Sequence, residues 1–385
     1  MMREAPQSRA PRIDIIDGLR GYAILAVIFH HIYIGSLRAT DYMSITLLGW
    51  KFTPFTLMTN AWQAVTLFFI ISGFVLALPY ATGTRSLHHF GDWLHFVSRR
   101  IRRLLPLLLF NTLFLLTFLR IDPLPRDTVK NLFFMTTFLF PFTSSLHIPP
   151  FNAPLWYLGI EFWLSLLLPL FIICARRWEW KVPIFTAIIL CFTSYVTFHR
   201  AWLWDLTAPF WGIGHLMMNL KDILIGAALA YAYVQRPRGR SGSLWIVSGI
   251  LFLAYSFFLT DSVLLHLLPK QTILITNLLT TIGFGLLLFG LLTSPPRVIR
   301  MLVANWPLQL IGMMSYSLYV WHLPPMGILH ASATPVRLVR YLFLVFVTSF
   351  LSYRFIEFGS VKDWRSLLPY RRRNTDLEQF KTESW

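Results

Sequence analysis

A succession of apolar runs, each near twenty residues long and separated by short basic segments, constrains this chain more than any other feature. A helix rises about 1.5 Å per residue, so about twenty apolar residues cross the roughly 30 Å hydrocarbon core of a bilayer. The runs fall at 18–35, 62–80, 103–120, 155–174, 182–199, 212–234, 244–260, 271–293, 308–330 and 338–357. They predict an all-α polytopic membrane protein with about ten transmembrane helices. Composition agrees, with 56% hydrophobic residues, 13% charged residues and a mean hydropathy of +0.58. These values exclude a soluble domain of ordinary composition. The 15 Trp and 14 Tyr suit two interfacial belts. An eleventh run, 131–146, is short and punctuated by Pro141, Pro149, Pro150 and Pro154. It is expected to be a re-entrant or interfacial segment.

The formal charge of +17 does not point to nucleic acid, because the cations sit between apolar runs. With the N-terminus inside and 131–146 not crossing, 24 of the 34 Lys and Arg fall on the cytoplasmic side. A crossing there would turn Arg176, Arg177, Lys181 and then Arg236, Arg238 and Arg240 outward, against the positive-inside rule. Both termini are therefore expected in the cytoplasm. The expected organisation is an N-terminal tail at 1–17, a transmembrane unit at 18–360 and a basic tail at 361–385. Cys174 and Cys191 both lie in apolar runs, so neither a disulfide framework nor a metal site is expected. No cleavable signal peptide is expected, because the first run follows about twenty polar residues and contains His30 and His31.

Ionisable residues inside apolar helices are costly and usually functional. Arg20 and His31 are eleven residues apart, about three turns plus 20°, so they share a face about 16 Å apart along the axis. His30 is rotated from Arg20 by about 80°. Asp17 caps this helix or pairs with Arg20. Further along, Ser72-Gly73 allows close approach of two helix backbones. Arg99, Arg100, Arg102 and Arg103 precede an apolar run. They read as topogenic anchors or, for Arg100 and Arg103, as a phosphate clamp. Glu161 lies in an apolar helix after Trp156 with no cation beside it in sequence, so it must pair, face water or be protonated. Ser315 and His322 are seven apart on one face, with Tyr316 and Trp321 between them, and suit a cavity wall. Arg354 and Glu357, three apart, are expected to pair. Lys221 and Asp222 are adjacent and do not share a helix face, so other helices are expected to position them.

Taken together and in order, these patches resemble the acyltransferase-3 family of membrane-bound O-acyltransferases, over about residues 12–360. The family's Arg-x10-His element matches Arg20 and His31, which leaves His30 without a counterpart. Phe68–Phe74 matches Phe-Phe-x-x-Ser-Gly-Phe, and Arg100, Arg103 and Pro106 match Arg-x-x-Arg-x-x-Pro. Trp156, Leu158 and Glu161 match Trp-x-Leu-x-x-Glu. Ser315–His322 matches Ser-Tyr-Ser-Leu-Tyr-x-Trp-His, and Tyr353–Glu357 matches the closing Tyr-Arg-Phe-Ile-Glu. Phe162 stands where many members have a second Glu, and Phe358-Gly359 replaces their closing Arg-Pro.

The resemblance implies a multi-pass protein of the bacterial cytoplasmic membrane with no bound cofactor. It implies an acyl-CoA donor, usually acetyl-CoA, and a carbohydrate or other hydroxyl acceptor on the far side. Arg100 and Arg103, with Arg20, would hold the donor phosphates. His31 would act as general base or as a covalent acyl carrier, and Glu161 would orient it or bind acceptor hydroxyls. Asp17, Trp156, Ser315, Tyr316, Trp321 and His322 would line the acceptor cavity. Some members carry an extracytoplasmic hydrolase-like domain. The chain is expected to lack one and so to transfer directly or through a separate extracytoplasmic partner. The rival class is a proton- or solute-coupled transporter, which also uses intramembrane His, Glu, Lys and Asp. Paired half-length helices in matching halves, which would favour it, are not seen. A scaffold or receptor gives no reason for Arg20 and His31 to share a face.

Overall fold

The computed structural model describes residues 13–37, 45–47, 50–52, 55–118, 128–143, 148–149, 151–178, 209–235, 242–269, 271–328 and 334–359, with short pieces at 185–186, 189–190, 193, 361 and 367–368. It is helical throughout, apart from an antiparallel pair of three-residue strands, β1 (Ile45–Leu47) and β2 (Trp50–Phe52), in register Thr46 to Lys51. The helices in chain order are α1 (Asp14–Ile32), α2 (Thr56–Thr59), α3 (Ala64–Ala81), α4 (Phe90–Phe118), α5 (Thr128–Thr136), α6 (Trp156–Arg177) and α7 (Pro209–Gln235). They continue with α8 (Ser243–Leu264), α9 (Thr272–Thr293), α10 (Arg297–Val303), α11 (Trp306–Met313), α12 (Ser315–Trp321), α13 (Pro324–Ile328) and α14 (Pro335–Ser352).

Seven helical segments among the described residues are long and apolar enough to cross a bilayer. They are Asp14–Gly35, Ala61–Ala81, Ala153–Ala175, Gly212–Gln235, Ser243–Leu264, Thr272–Thr293 and Pro335–Glu357. Each coincides with one of the apolar runs. The run at 182–199 lies almost wholly outside the described residues. The run at 103–120 is the second half of α4, a 29-residue helix about 43 Å long. Its N-terminal half is polar, and Asp92 starts it by accepting hydrogen bonds from the backbone N–H groups of His88 and His89. These bonds favour the carboxylate and hold Asp92 below the usual carboxylate range.

The run at 308–330, expected as one helix, forms three short ones in its described residues. The backbone ladder survives a bend at Met314, where its N–H reaches Leu310 and its carbonyl takes Leu318 N–H. It cannot survive Pro324-Pro325, which have no N–H to donate. Of the segment 131–146, the described residues hold the end of α5, a nine-residue helix about 13 Å long that starts at Thr128, and a 3-10 turn at Phe140–Phe142. Between them Phe138 takes a left-handed backbone with a φ of 57°.

Packing relies on close backbone approach. Gly73 of α3 sits against the backbone of Ile223 on α7, and Gly226 of α7 returns the contact on Ile70 and Phe74. A side chain at either position would meet main-chain atoms. On α1, Gly21 rests on the backbone of Leu308, while Gly312 of α11 rests on Asp17 and Gly21. Helices in lipid gain no hydrophobic drive toward one another, so such van der Waals contact is what joins them. Helices α8 and α9 pack along each other as a hairpin, and much of their outer surface is exposed apolar side chain, including Leu244, Ile250, Leu251 and Tyr255 on α8. The buried core lies between α1, α3, α4, α6, α7 and α12.

Candidate active site

Two groups of buried polar side chains meet where α1, α4, α6, α12 and α14 converge. The first is an ion pair. Arg100 and Arg103 lie one turn apart on α4 and reach different neighbours. The Arg100 guanidinium donates to Glu161 Oε1 at 2.8 Å and to Ser165 Oγ at 3.2 Å, both on α6. Ser72 Oγ of α3 donates to the same Glu161 oxygen at 2.7 Å. Arg100 and Glu161 are each only 8% exposed, so this is a paired and hydrogen-bonded buried charge. Ser72 therefore does more than permit close approach. Arg103 is the more accessible cation. It lies 3.9 Å from Glu357 Oε2 and over the Phe358 ring at 5.7 Å.

Glu357 also accepts a hydrogen bond from Ser317 Oγ of α12. The expected pair of Arg354 with Glu357 does not form. Tyr353–Glu357 is a π-helical turn, whose wider winding takes residues three apart off a common face. Arg354 instead reaches the Phe358 carbonyl. Arg20 stays 3.9 Å from Asp17, and it lies within electrostatic reach of Arg103 and Glu161. Asp17 is not the cap of α1, which begins earlier, at Asp14.

The second group is imidazole. His31 on α1 donates from Nδ1 to Val27 O at 2.9 Å, and His322 at the end of α12 donates from Nδ1 to Tyr319 O at 2.7 Å. A carbonyl only accepts, so Nδ1 carries a proton in both rings, and in the neutral form of each the lone pair is on Nε2. The ring centroids are 4.8 Å apart, edge to face. His322 is fully buried, and its Nε2 has no hydrogen-bond partner. Tyr341 of α14 holds the His322 carbonyl at 2.8 Å, and Tyr319 is tied to Pro154 O at 2.8 Å. His30 turns elsewhere, to Met58 O at 2.9 Å.

The other expected residues have partners of their own. Tyr316 donates to Leu104 O at 2.5 Å, Trp321 to Ser352 Oγ at 2.8 Å, and Trp156 lies 5.1 Å from the His215 ring. Ser315 is half-buried at the start of α12. No hydrogen bond joins Glu161 to His31 among the described residues; the neighbour of His31 is His322. Sequence reasoning also did not single out Asn111 and Asn152. Asn152 donates to Asn111 Oδ1 at 3.1 Å and to Val320 O at 2.9 Å, leaving Asn111 Nδ2 and Asn152 Oδ1 without partners. Lone amides in apolar surroundings, in the middle of the 103–120 run and before Trp156, were the available signal. Lys221 and Asp222, expected to be positioned by other helices, bridge each other at 3.2 Å because the lysine stem curls back toward Met218 O. Thr281 of α9 completes that group through Asp222 Oδ1 at 2.5 Å.

A buried ion pair, two facing imidazoles and partly exposed arginines within one helical membrane bundle suit group transfer to or from an anionic carrier. The family model described as an acyltransferase domain matches residues 13–356, and the chain belongs to this acyltransferase-3 family. It is 25% identical over 371 residues to O-acetyltransferase OatA of Staphylococcus aureus strain NCTC 8325, covering 89% of this chain and 56% of that protein. It is 23% identical over 383 residues to peptidoglycan O-acetyltransferase OatA of Listeria monocytogenes, covering 90% and 55%. The chain thus spans little more than half the length of these relatives. No solved structure matches it. It is a multi-pass membrane protein.

Proposed function

We propose that this protein transfers an acyl group, most simply acetyl, from cytoplasmic acyl-CoA across the membrane to a hydroxyl of an extracytoplasmic carbohydrate. The observation that carries this reading is the His31 imidazole, fixed with its Nε2 lone pair free inside a bundle that has arginines toward one end. The relatives named as O-acetyltransferases, one of them a peptidoglycan O-acetyltransferase, support a cell-envelope glycan as the acceptor class. The excess of cations in the segments assigned to the cytoplasm supports inside termini and entry of the polyanionic donor from that side.

Arg103 and Arg20, the two partly exposed cations of the site, would hold donor phosphates. Arg100 would act with them through Glu161, which it pairs with and holds in place. His31 Nε2 would take the proton of the acceptor hydroxyl as that oxygen attacks the thioester carbonyl. The C–O bond forms, the C–S bond breaks, and the proton leaves with the CoA thiolate. Trp156, Ser315, Tyr316, Trp321 and His322 would bound the acceptor side, with Asp17 near the donor end.

The test is membranes holding the full chain, supplied with acetyl-CoA labelled in the acetyl group and with a glycan acceptor. Label should pass covalently to the glycan with wild-type protein and not with His31→Ala. Equal transfer by His31→Ala overturns the assignment, and label that crosses the membrane chemically unchanged establishes a transporter. Labelling by the purified chain alone would show direct transfer; a requirement for an added extract would show a separate extracytoplasmic partner.

A further inference from the structure

The surroundings of His322 are unusual for a residue that only lines a cavity wall. A buried polar nitrogen without a partner costs about 1–3 kcal/mol, and native structures hold few of them. Here the nitrogen belongs to a fully buried ring whose other nitrogen is anchored to Tyr319 O, and the carbonyl of the same residue is anchored by Tyr341. The ring cannot turn to satisfy Nε2 without losing the Nδ1 bond. Beside it, 4.8 Å between centroids, stands His31, whose ring is anchored in the same way.

Two neutral imidazoles with both protons on Nδ1 present two lone pairs and no proton between them. Such a pair cannot hydrogen-bond to itself. It is completed by one proton, or by one hydroxyl hydrogen, added on the Nε2 side. No carboxylate competes for that role, since neither ring hydrogen-bonds to one among the described residues. The groups facing His322 are His31 from α1, Tyr319 from its own helix and Tyr341 from α14.

We infer that His31 and His322 form a one-proton pair, in which His322 Nε2 shares the proton that His31 removes from the acceptor hydroxyl. The inference rests on His31 acting as the general base. During attack the hydroxyl oxygen forms its bond to the acyl carbon, and its proton moves onto the pair. As the C–S bond breaks, the proton moves from the pair to the departing sulfur. No other reactant enters. The second imidazole spreads the positive charge over two rings at a depth where a single imidazolium would be poorly solvated.

The experiment compares wild-type, His31→Gln and His322→Gln chains in membranes. Acetyl transfer is measured in single turnover, against acetyl-CoA concentration and in mixtures of light and heavy water. Gln keeps polarity and near-native volume but cannot take up a proton. His322→Gln should lower the transfer rate about 100-fold with half-saturation by acetyl-CoA within twofold of wild type. The dependence of rate on deuterium fraction should be curved in wild type, from more than one proton in flight, and linear in the variant. A His322→Gln rate within threefold of wild type, alongside an inactive His31→Gln, overturns the pair and leaves His31 as sole base. Retained transfer in both variants overturns the reading of the site itself. If His322→Gln does not accumulate, the wild-type curve decides alone, and a linear one rejects the pair.

Discussion

Two buried polar networks of this protein are built on opposite terms. One joins α2 to α8 and α9. Asp261 accepts from Thr56 at 2.7 Å, Thr59 at 3.0 Å and Asn60 at 2.8 Å. Gln63 links Asn60 to Thr260 and takes a bond from Thr280, which in turn meets Ser256 at 2.7 Å. None of these side chains is left with a buried, unpartnered atom. The other network lies around α4, α12 and α14, and it contains His322 Nε2, Asn111 Nδ2, Asn152 Oδ1 and Glu357 Oε2, all buried without a hydrogen-bond partner. Completed networks rigidify a fold, whereas an open valence is a place for something that arrives later. Burial of polar groups therefore does not distinguish these two networks; the completeness of their bonding does.

That contrast can be broken by experiment. The largest effect is expected from His31→Ala, which should reduce acetyl transfer by roughly 10²–10⁴-fold, the usual contribution of a general base, without changing the amount of folded protein in membranes. Glu161→Ala should be nearly as damaging by a different route. Removing one partner of a buried pair costs about 3–5 kcal/mol, so thermal stability in detergent should drop along with activity. Arg100→Met with Glu161→Leu should restore much of the stability and none of the transfer. Asp261→Ala leaves the donors Thr56, Thr59 and Asn60 unmatched, at about 1–3 kcal/mol for each unsatisfied group. It should lower stability while the rate per folded molecule stays within twofold. A rate loss comparable to that of His31→Ala would erase the distinction between the networks. The smallest effect belongs to Arg103→Gln, which should raise half-saturation by acetyl-CoA about tenfold, near 1.4 kcal/mol, with little change in maximal rate.

How much of this is legible in the sequence depends on the range of the interaction. The seven spans show because hydrophobic length is a local property. The preference for His31 over His30 is visible in helix phase, since Arg20 lies on the same strip of α1. Partners across helices are not visible. Glu161 needs a cation, and that requirement can be read, but Arg100 as its supplier cannot, because it comes from a different helix. α-Helical spacing pairs Glu357 with Arg354, and a π-helical turn moves it to Arg103 and Ser317. The break after α12 was written in Pro324-Pro325, yet hydropathy alone passes over two prolines in an apolar run. Lys221 and Asp222 show that a four-carbon stem can reach a neighbour that helix geometry places off its face.

The glycine contact between α1 and α11 has a consequence for chemistry. Neighbouring residues on a helix point about 100° apart, so a turn of α1 of about 100° about its axis would exchange His30 for His31 at His322. Gly21 rests on the main chain of Leu308, and Gly312 rests on that of Asp17 and Gly21, leaving no room for a methyl group. Backbone seated on backbone accepts one rotational setting, as a keyway accepts one orientation of a shaft. The choice between two adjacent histidines is thus made turns away, by residues that contribute no side chain.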